Sequence, residues 1–198
     1  MVASPSVLTG NTYLVKEHVG MFKAANNYDI YDPSTGQIVM ECREPNLGFF
    51  TKLLRFTEYK RYTPFAIEVR TPGGQSVVAV RRGVAIFRST VQANGPHGEL
   101  LGTFRQRLMS VGGKFDVLDN TEKVVCTLQG KWTSWEFTFM SGQTQLAKVT
   151  KKWAGLGKEL FTTADTYALE IAPAVPADSA VRPLILAAVM CIDMVLKE

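Results

Sequence analysis

The sequence predicts a mainly β fold: a closed antiparallel barrel of about twelve strands around a buried apolar helix at the C-terminus. Three observations predict it. Hairpin signals recur along most of the chain, they recur at unequal spacing, and the last stretch is apolar on every side. The chain has 198 residues, of which 46% are hydrophobic and 20% charged. This length and composition fit one folded domain over residues 1–198 and exclude a disordered polymer.

Hairpins are indicated where a short segment of alternating apolar and polar residues meets a turn of Gly, Pro, Asn, Asp or Ser. Five such units occupy residues 28–42, 65–82, 89–104, 115–128 and 137–150. Further strands are expected near 13–16 and 160–171. Four units begin with an aromatic residue, and these starts are 37, 50 and 22 residues apart. Unequal spacing argues against a propeller or solenoid and favours one meandering sheet.

The C-terminal segment 184–196, LILAAVMCIDMVL, carries Asp193 as its one charge. Spanning a bilayer takes about 20 apolar residues, so this segment is too short. A sheet of a dozen strands hides its edges by closing, and its lumen is then too wide for strand side chains alone to fill. We therefore expect the helix inside the barrel, capped by Asp178 or Ser179, with Pro183 in its first turn. The alternative is a helix inserted in a membrane.

A second helix is predicted over residues 46–62, between two strands. Its apolar residues recur at i, i+4 and i+7, and four basic residues against one acidic residue give it a net charge of +3. Such a basic amphipathic helix can lie on an anionic membrane, and the candidates for membrane contact are Phe49, Lys52, Leu53, Arg55 and Phe56. The alternative is that its apolar stripe covers the barrel.

Basic residues fall at the ends of the second strands of the hairpins, where neighbouring strands can collect them at one rim. The candidates for binding a lipid headgroup are Arg81, Arg82, Arg105, Arg107, Lys148, Lys151 and Lys152. Lysine and arginine at such a rim suit phosphorylated headgroups and an anionic bilayer surface. The alternative is a solvated charged face. The net charge of +4 does not demand nucleic acid, and no nucleic-acid-reading module is present.

No set of residues points to catalysis. His18 and His97 stand apart, and the three cysteines are widely spaced. The segment 155–158, GLGK, lacks the first glycine and the final Ser or Thr of a phosphate-binding loop. We expect a protein that is not an enzyme and holds no metal. Because no secretory signal is evident, we expect it in the cytoplasm, peripheral to a membrane.

Three stretches resemble the phospholipid scramblase family, which belongs to the tubby-like group with the plant LURP-one-related proteins. They are ADTYALEI at 164–171, LILAAVMCID at 184–193 and the hairpin YDIYDPSTGQIV at 28–39. The resemblance implies a twelve-stranded barrel around a central C-terminal helix, and a lipid-related function. It also implies calcium ligands before the helix, for which Asp165 and Asp178 are weak candidates here. Thr163, Pro173 and Pro176 fill the rest of that stretch, so we expect no bound cofactor.

Three hypotheses of function follow. The first is a protein that binds anionic phospholipid headgroups through its basic rim. The second is a scramblase that moves phospholipids between leaflets with its C-terminal helix inserted. The third is a scaffold that binds protein partners and has no lipid role.

Overall fold

Twelve strands form one antiparallel sheet in this computed structural model, which describes residues 6–18, 27–44, 64–83, 90–107, 114–131, 135–151 and 166–196. The strands are β1 (Thr12–Glu17), β2 (Tyr28–Tyr31), β3 (Ile38–Arg43), β4 (Phe65–Arg70), β5 (Ser76–Arg82), β6 (Thr90–Asn94), β7 (Leu100–Gln106), β8 (Phe115–Asp119), β9 (Val124–Lys131), β10 (Glu136–Ser141), β11 (Thr144–Thr150) and β12 (Thr166–Ile171). A short 3₁₀ turn (Ser6–Leu8) precedes them, and helix α1 (Val181–Leu196) follows.

The sheet is a meander that closes on itself. Every strand pairs with its neighbours in the chain, and β1 pairs with β12 to complete the barrel. At the closing seam, Leu14 lies opposite Ala168 of β12 and, on its other side, opposite Tyr31 of β2. The predicted closed barrel of twelve antiparallel strands is therefore confirmed.

Most strands alternate between the lumen and the outside, whereas β1 and β12 are buried on both faces. In β4, Phe65, Ile67 and Val69 are buried, whereas Ala66 and Arg70 are exposed. This period of two is what a pleated strand with one buried face produces. The barrel therefore presents an apolar inner wall.

Helix α1 fills the lumen, as predicted. Residues 182–192 are all buried, and they form one core with the inward side chains of the strands. The hydroxyl of Ser179 accepts a hydrogen bond of 3.3 Å from the amide of Val181, which caps the helix start. Pro183 lies in the first turn, where its missing amide hydrogen is tolerated.

Helix and wall approach closely at Gly102 in β7. A methyl group at this position would collide with the carbonyl oxygen of Leu118 and would lie 3.0 Å from Cδ2 of Leu184 in α1. A glycine is needed here because the space between β7, β8 and the helix has no room for a side chain.

The two ends of the barrel differ in their connections. At one end, which we call the turn end, short turns join β2 to β3, β4 to β5, β6 to β7, β8 to β9 and β10 to β11. Helix α1 also begins there, because it follows β12. The opposite end, which we call the loop end, carries the other connections, most of which are longer. The helix predicted over 46–62, with Phe49, Lys52, Leu53, Arg55 and Phe56, lies outside the described residues.

No helix within the described ranges combines the length and the apolar character that a membrane crossing requires.

Candidate functional site

The topology brings basic side chains to the loop end. The odd-numbered strands all run toward this end, because each strand is antiparallel to the next. We use the name basic rim for the headgroup candidates that lie on the outside of these strands or just beyond them: Arg81 of β5, Arg105 and Arg107 at the end of β7, and Lys148 and Lys151 at the end of β11. They lie at one end of the barrel although they are spread over residues 81–151 of the sequence.

Two members of the basic rim are paired with carboxylates. Nη2 of Arg107 lies 2.7 Å from Oδ1 of Asp116, and its Nε donates to both carboxylate oxygens at 2.9 Å. These hydrogen bonds raise the pKa of Arg107. Nζ of Lys148 lies 2.6 Å from Oε1 of Glu136. Each ion pair has little net charge. Arg107 and Lys148 therefore add less to the positive electrostatic potential of the basic rim than unpaired residues would.

Two other members of the basic rim have no such carboxylate partner. Arg81 is exposed and Arg105 is half-buried, and neither forms an ion pair with a side chain in the described ranges. An unpaired guanidinium presents five N–H donors in a planar fork, which matches the oxygens of a phosphate. Arg81 and Arg105 are therefore the arginines of the basic rim whose guanidinium groups can bind an anion without first breaking an ion pair.

Lys151 is positioned by an aromatic cluster. Its Nζ lies 4.1 Å from the centroid of the Trp135 ring, within the range of a cation–π contact. The Trp135 ring stacks on Tyr167 and meets Phe137 edge to face, with centroids 6.2 Å apart in both pairs. Trp135 has a φ of 49°, a left-handed conformation that is uncommon for a large side chain. The cluster therefore holds the ammonium of Lys151 at the loop end.

Arg82 lies on the other side of the sheet from Arg81. Its side chain is buried in the barrel, with its Cζ 4.8 Å from the centroid of the Phe65 ring. Burial raises the pKa of the Cys191 thiol and nearby Cys42 raises it further, whereas the charge of Arg82 acts in the opposite direction. Arg82 is thus close to the last turns of α1, where the helix dipole favours a cation. Lys152 lies outside the described residues.

The sequence prediction missed Lys16, the second-last residue of β1, and Arg43, the last residue of β3, at the same loop end. Arg43 and His18 hold the carboxylate of Asp29 between them, each with a contact of 2.6 Å. Burial alone would raise the pKa of Asp29, but the hydrogen bonds from Arg43 and His18 outweigh it and lower that pKa. The signal was present in the sequence, since both residues lie at or near the end of an apolar strand, as the predicted rim residues do.

The two weak calcium candidates stay a prediction, because the structure describes only one of them. Asp178 is exposed in the loop before α1, and Asp165 lies outside the described residues. Across the described ranges, no three His, Cys, Asp or Glu side chains are grouped as metal ligands would be. The three cysteines are free and buried, and burial raises their pKa values, to about 12 for Cys126.

A closed barrel of twelve antiparallel strands that sheathes its own C-terminal helix defines the tubby-like class of proteins. Within that class the family is clear, because the model of the family described as Scramblase matches residues 3–198. The chain belongs to the scramblase family. Membership supports a lipid-related function in general terms, and proteins of this family are in general not enzymes.

One solved structure supports the fold independently. The chain is similar to the X-ray structure of a protein from Arabidopsis thaliana, with a TM-score of 0.57 and 15% sequence identity, over 97% of this chain and 96% of that one. At this identity the likeness shows the shared fold alone. The search of curated proteins gave no match.

Proposed function

We propose that the protein binds anionic phospholipid headgroups at a membrane surface through its basic rim. The observation that carries the proposal is the shared direction of the odd-numbered strands, which gathers basic side chains from β5, β7 and β11 at the loop end. A basic residue near an anionic bilayer contributes about 1 kcal/mol to binding. Several basic residues at one end of the barrel can therefore bind an anionic bilayer together, without a deep pocket for a single headgroup.

The charge at the opposite end supports an orientation. The turn end carries the acidic residues Asp32, Glu99, Asp119, Glu122 and Asp178, with Arg70 and Lys123 as its basic residues outside the lumen. The loop end also carries acidic residues, such as Glu17, Glu44 and Asp116, but its basic residues outnumber them. An anionic surface therefore attracts the loop end and repels the turn end. Because the Debye length is about 8 Å at physiological ionic strength, only the end that faces the membrane feels its charge. We infer that the barrel docks on the membrane with its loop end.

The burial of α1 favours binding at the surface over insertion. Residues 184–192 are buried in the lumen and pack against the inner wall. Inserting this helix in a bilayer requires the barrel to open first and to expose its apolar interior. For this reason the alternative in which the protein moves lipids through an inserted helix is less well supported.

The predicted membrane contact of residues 46–62 agrees with this orientation. That segment connects β3 to β4, and both of these strands meet the connection at the loop end. The roles of Phe49, Lys52, Leu53, Arg55 and Phe56 stay a prediction.

Co-sedimentation with vesicles tests the proposal. We expect the protein to pellet at low salt with vesicles that contain phosphatidylserine or a phosphoinositide, and to stay in the supernatant with phosphatidylcholine alone. The double variant Arg105→Glu with Lys151→Glu reverses two charges of the basic rim. Its affinity is expected to fall about tenfold or more. The matched control is Arg70→Glu with Lys123→Glu, which reverses two charges at the turn end and is expected to bind like the wild type.

Two results contradict the proposal. One is the absence of pelleting at low salt, which would favour a scaffold that binds protein partners. The other is an equal loss of binding in the rim variant and the turn-end control, which would show that overall charge acts rather than the rim. Circular dichroism checks that both variants keep the strand content of the wild type.

A further inference from the structure

A groove of about 310 Å³ crosses the outer wall of the barrel over β4, β5 and β6. It lies between the basic rim and the turn that joins β6 to β7. The outward residues that give it its chemistry are Ala66, Glu68, Ala79, Arg81 and Asn94. Two small side chains therefore form a floor, and charged and polar side chains stand around it.

Glu68 and Asn94 face each other across Ala79. In the strand registers, Ala79 of β5 lies opposite Glu68 of β4 on one side and opposite Asn94 of β6 on the other. Neighbouring strands are about 4.8 Å apart, so the two polar residues stand roughly 10 Å apart at their Cα atoms, with only a methyl group between them. Nδ2 of Asn94 donates to the carbonyl of Gly98 at 3.1 Å, which leaves its Oδ1 to accept. The space over Ala79 is flanked by two hydrogen-bond acceptors.

The carboxylate of Glu68 is available to a ligand. Arg43 lies directly opposite Glu68 in the register of β3 and β4. Its guanidinium is nevertheless committed to the other side, where it contacts Asp29 and the carbonyl of Tyr28, both at 2.6 Å. Glu68 makes no ion pair with any side chain in the described ranges. Glu68 is half-buried and forms no ion pair, so its carboxylate can accept hydrogen bonds from a positively charged ligand.

Arg81 supplies the opposite charge on the same face. It follows Ala79 by two residues, so the two Cα atoms are about 7 Å apart along β5. Arg81 lies opposite Ala66 of β4 on one side and opposite Gln92 of β6 on the other. Its side chain is exposed, so the guanidinium is accessible. An arginine fork binds a phosphate with two parallel hydrogen bonds. The groove thus presents a cation site over Ala79 and an anion site at Arg81.

We infer that this groove binds a phosphate ester of a primary amino alcohol, with phosphoethanolamine as its simplest form. The ammonium donates to Glu68 and to Oδ1 of Asn94, and the phosphate accepts from Arg81. A primary ammonium suits two oxygen acceptors because it has N–H donors. A quaternary ammonium such as choline has none and is bound by aromatic rings, and no described residue that lines the groove is aromatic. The ester reaches the groove either as the headgroup of phosphatidylethanolamine or as a free molecule.

The probe for the site itself is soluble phosphoethanolamine, titrated into the full chain by calorimetry. We expect it to bind at least tenfold more tightly than phosphocholine. Glu68→Gln keeps the shape of the side chain and removes its charge, and it is expected to weaken binding about tenfold. Ala79→Leu fills the floor without changing any charge and is expected to abolish binding. The matched control is Glu122→Gln in an exposed turn, which is expected to bind like the wild type.

Three results overturn the inference: no binding of phosphoethanolamine by the wild type, equal binding of phosphocholine, or unchanged binding by folded Glu68→Gln and Ala79→Leu variants. Neutral vesicles then distinguish the source. Pelleting with phosphatidylethanolamine over phosphatidylcholine assigns the site to a lipid headgroup, whereas binding of the soluble ester without pelleting assigns it to a free ester. The rim variant Arg105→Glu with Lys151→Glu is expected to keep its affinity for phosphoethanolamine, so failure of the rim and failure of the groove are separable.

Discussion

Nη1 of Arg182, in the first turn of α1, donates a hydrogen bond of 2.9 Å to the carbonyl oxygen of Leu8, which lies 174 residues earlier in the chain. Arg182 is 2% exposed, and all five N–H donors of its guanidinium are used. Its acceptors are the carbonyls of Leu8, Gly10, Val175 and Pro176 and the side chain of Asn11. Because these groups precede β1 and follow β12, Arg182 ties the closing seam of the barrel to the helix inside it.

Arg182→Leu is expected to lower the free energy of unfolding by roughly 3 kcal/mol, because several partly or fully buried oxygens lose their donor. Arg182→Lys keeps the charge with three donors and is expected to fall between this variant and the wild type. Urea unfolding followed by circular dichroism measures the change. The control is Arg105→Leu on the outer wall, for which we expect a change within about 0.5 kcal/mol. Equal midpoints for the Leu variants of Arg182 and Arg105 would contradict this role.

Tyr13 makes the fold sensitive to alkaline pH. Its hydroxyl donates to the carbonyl of Val7 at 3.0 Å, and burial raises the pKa of the phenol to about 12, against an ordinary value of 10.0. A raised pKa means that the fold favours the neutral phenol. The resulting stability is complete below pH 10 and is lost as the pH rises through about 12. In Tyr13→Phe this contribution is absent, so its urea midpoint should fall less steeply in that window. If the urea midpoints of the wild type and Tyr13→Phe fall in parallel as the pH rises, Tyr13 does not have this role.

Gly102 tests the contact between the helix and the wall. In Gly102→Ala the new methyl group collides with the carbonyl oxygen of Leu118 and crowds Leu184. We expect a loss of roughly 1–3 kcal/mol in the free energy of unfolding, the usual cost of overpacking a core. Gly83→Ala is the control, because an added methyl group there meets no atom within 4 Å. If both variants unfold at the same urea concentration, the packing of β7, β8 and α1 is looser than described.

Much of the fold could be predicted from the sequence because its signals are local. The hairpin turns place glycine where the backbone needs a positive φ, as at Gly36, Gly74, Gly98 and Gly142. The pairing of β1 with β12 has no local signal, since the two strands lie at opposite ends of the chain. It follows only from the general argument that a long sheet hides its edges. The role of Arg182 could not be predicted from the sequence either, because its hydrogen-bond acceptors come from two segments at opposite ends of the chain.

The candidate site was predictable in part. The pattern of an apolar strand that ends in a basic residue selected side chains that lie at one end of the barrel, but it missed Lys16 and Arg43. The role of the selected side chains in binding a headgroup stays a prediction. The same pattern also placed Arg81 and Arg82 together, although adjacent residues of a strand point to opposite faces. The groove could not be foreseen, because it depends on cross-strand register. That register shifts within these strands, for example between Val69 and Arg70 in the pairing of β4 with β5.

Site-directed fluorescence on anionic vesicles tests most directly whether the loop end faces the membrane. The native cysteines Cys42, Cys126 and Cys191 are buried, so a thiol-reactive dye attaches selectively to an introduced surface cysteine. Gly83→Cys places the dye at the loop end, and Asn120→Cys places it in a turn at the opposite end. With brominated phospholipids as quenchers, we predict strong quenching of the dye at position 83 and none at position 120. Equal quenching at both positions, or quenching at position 120 alone, would contradict the account.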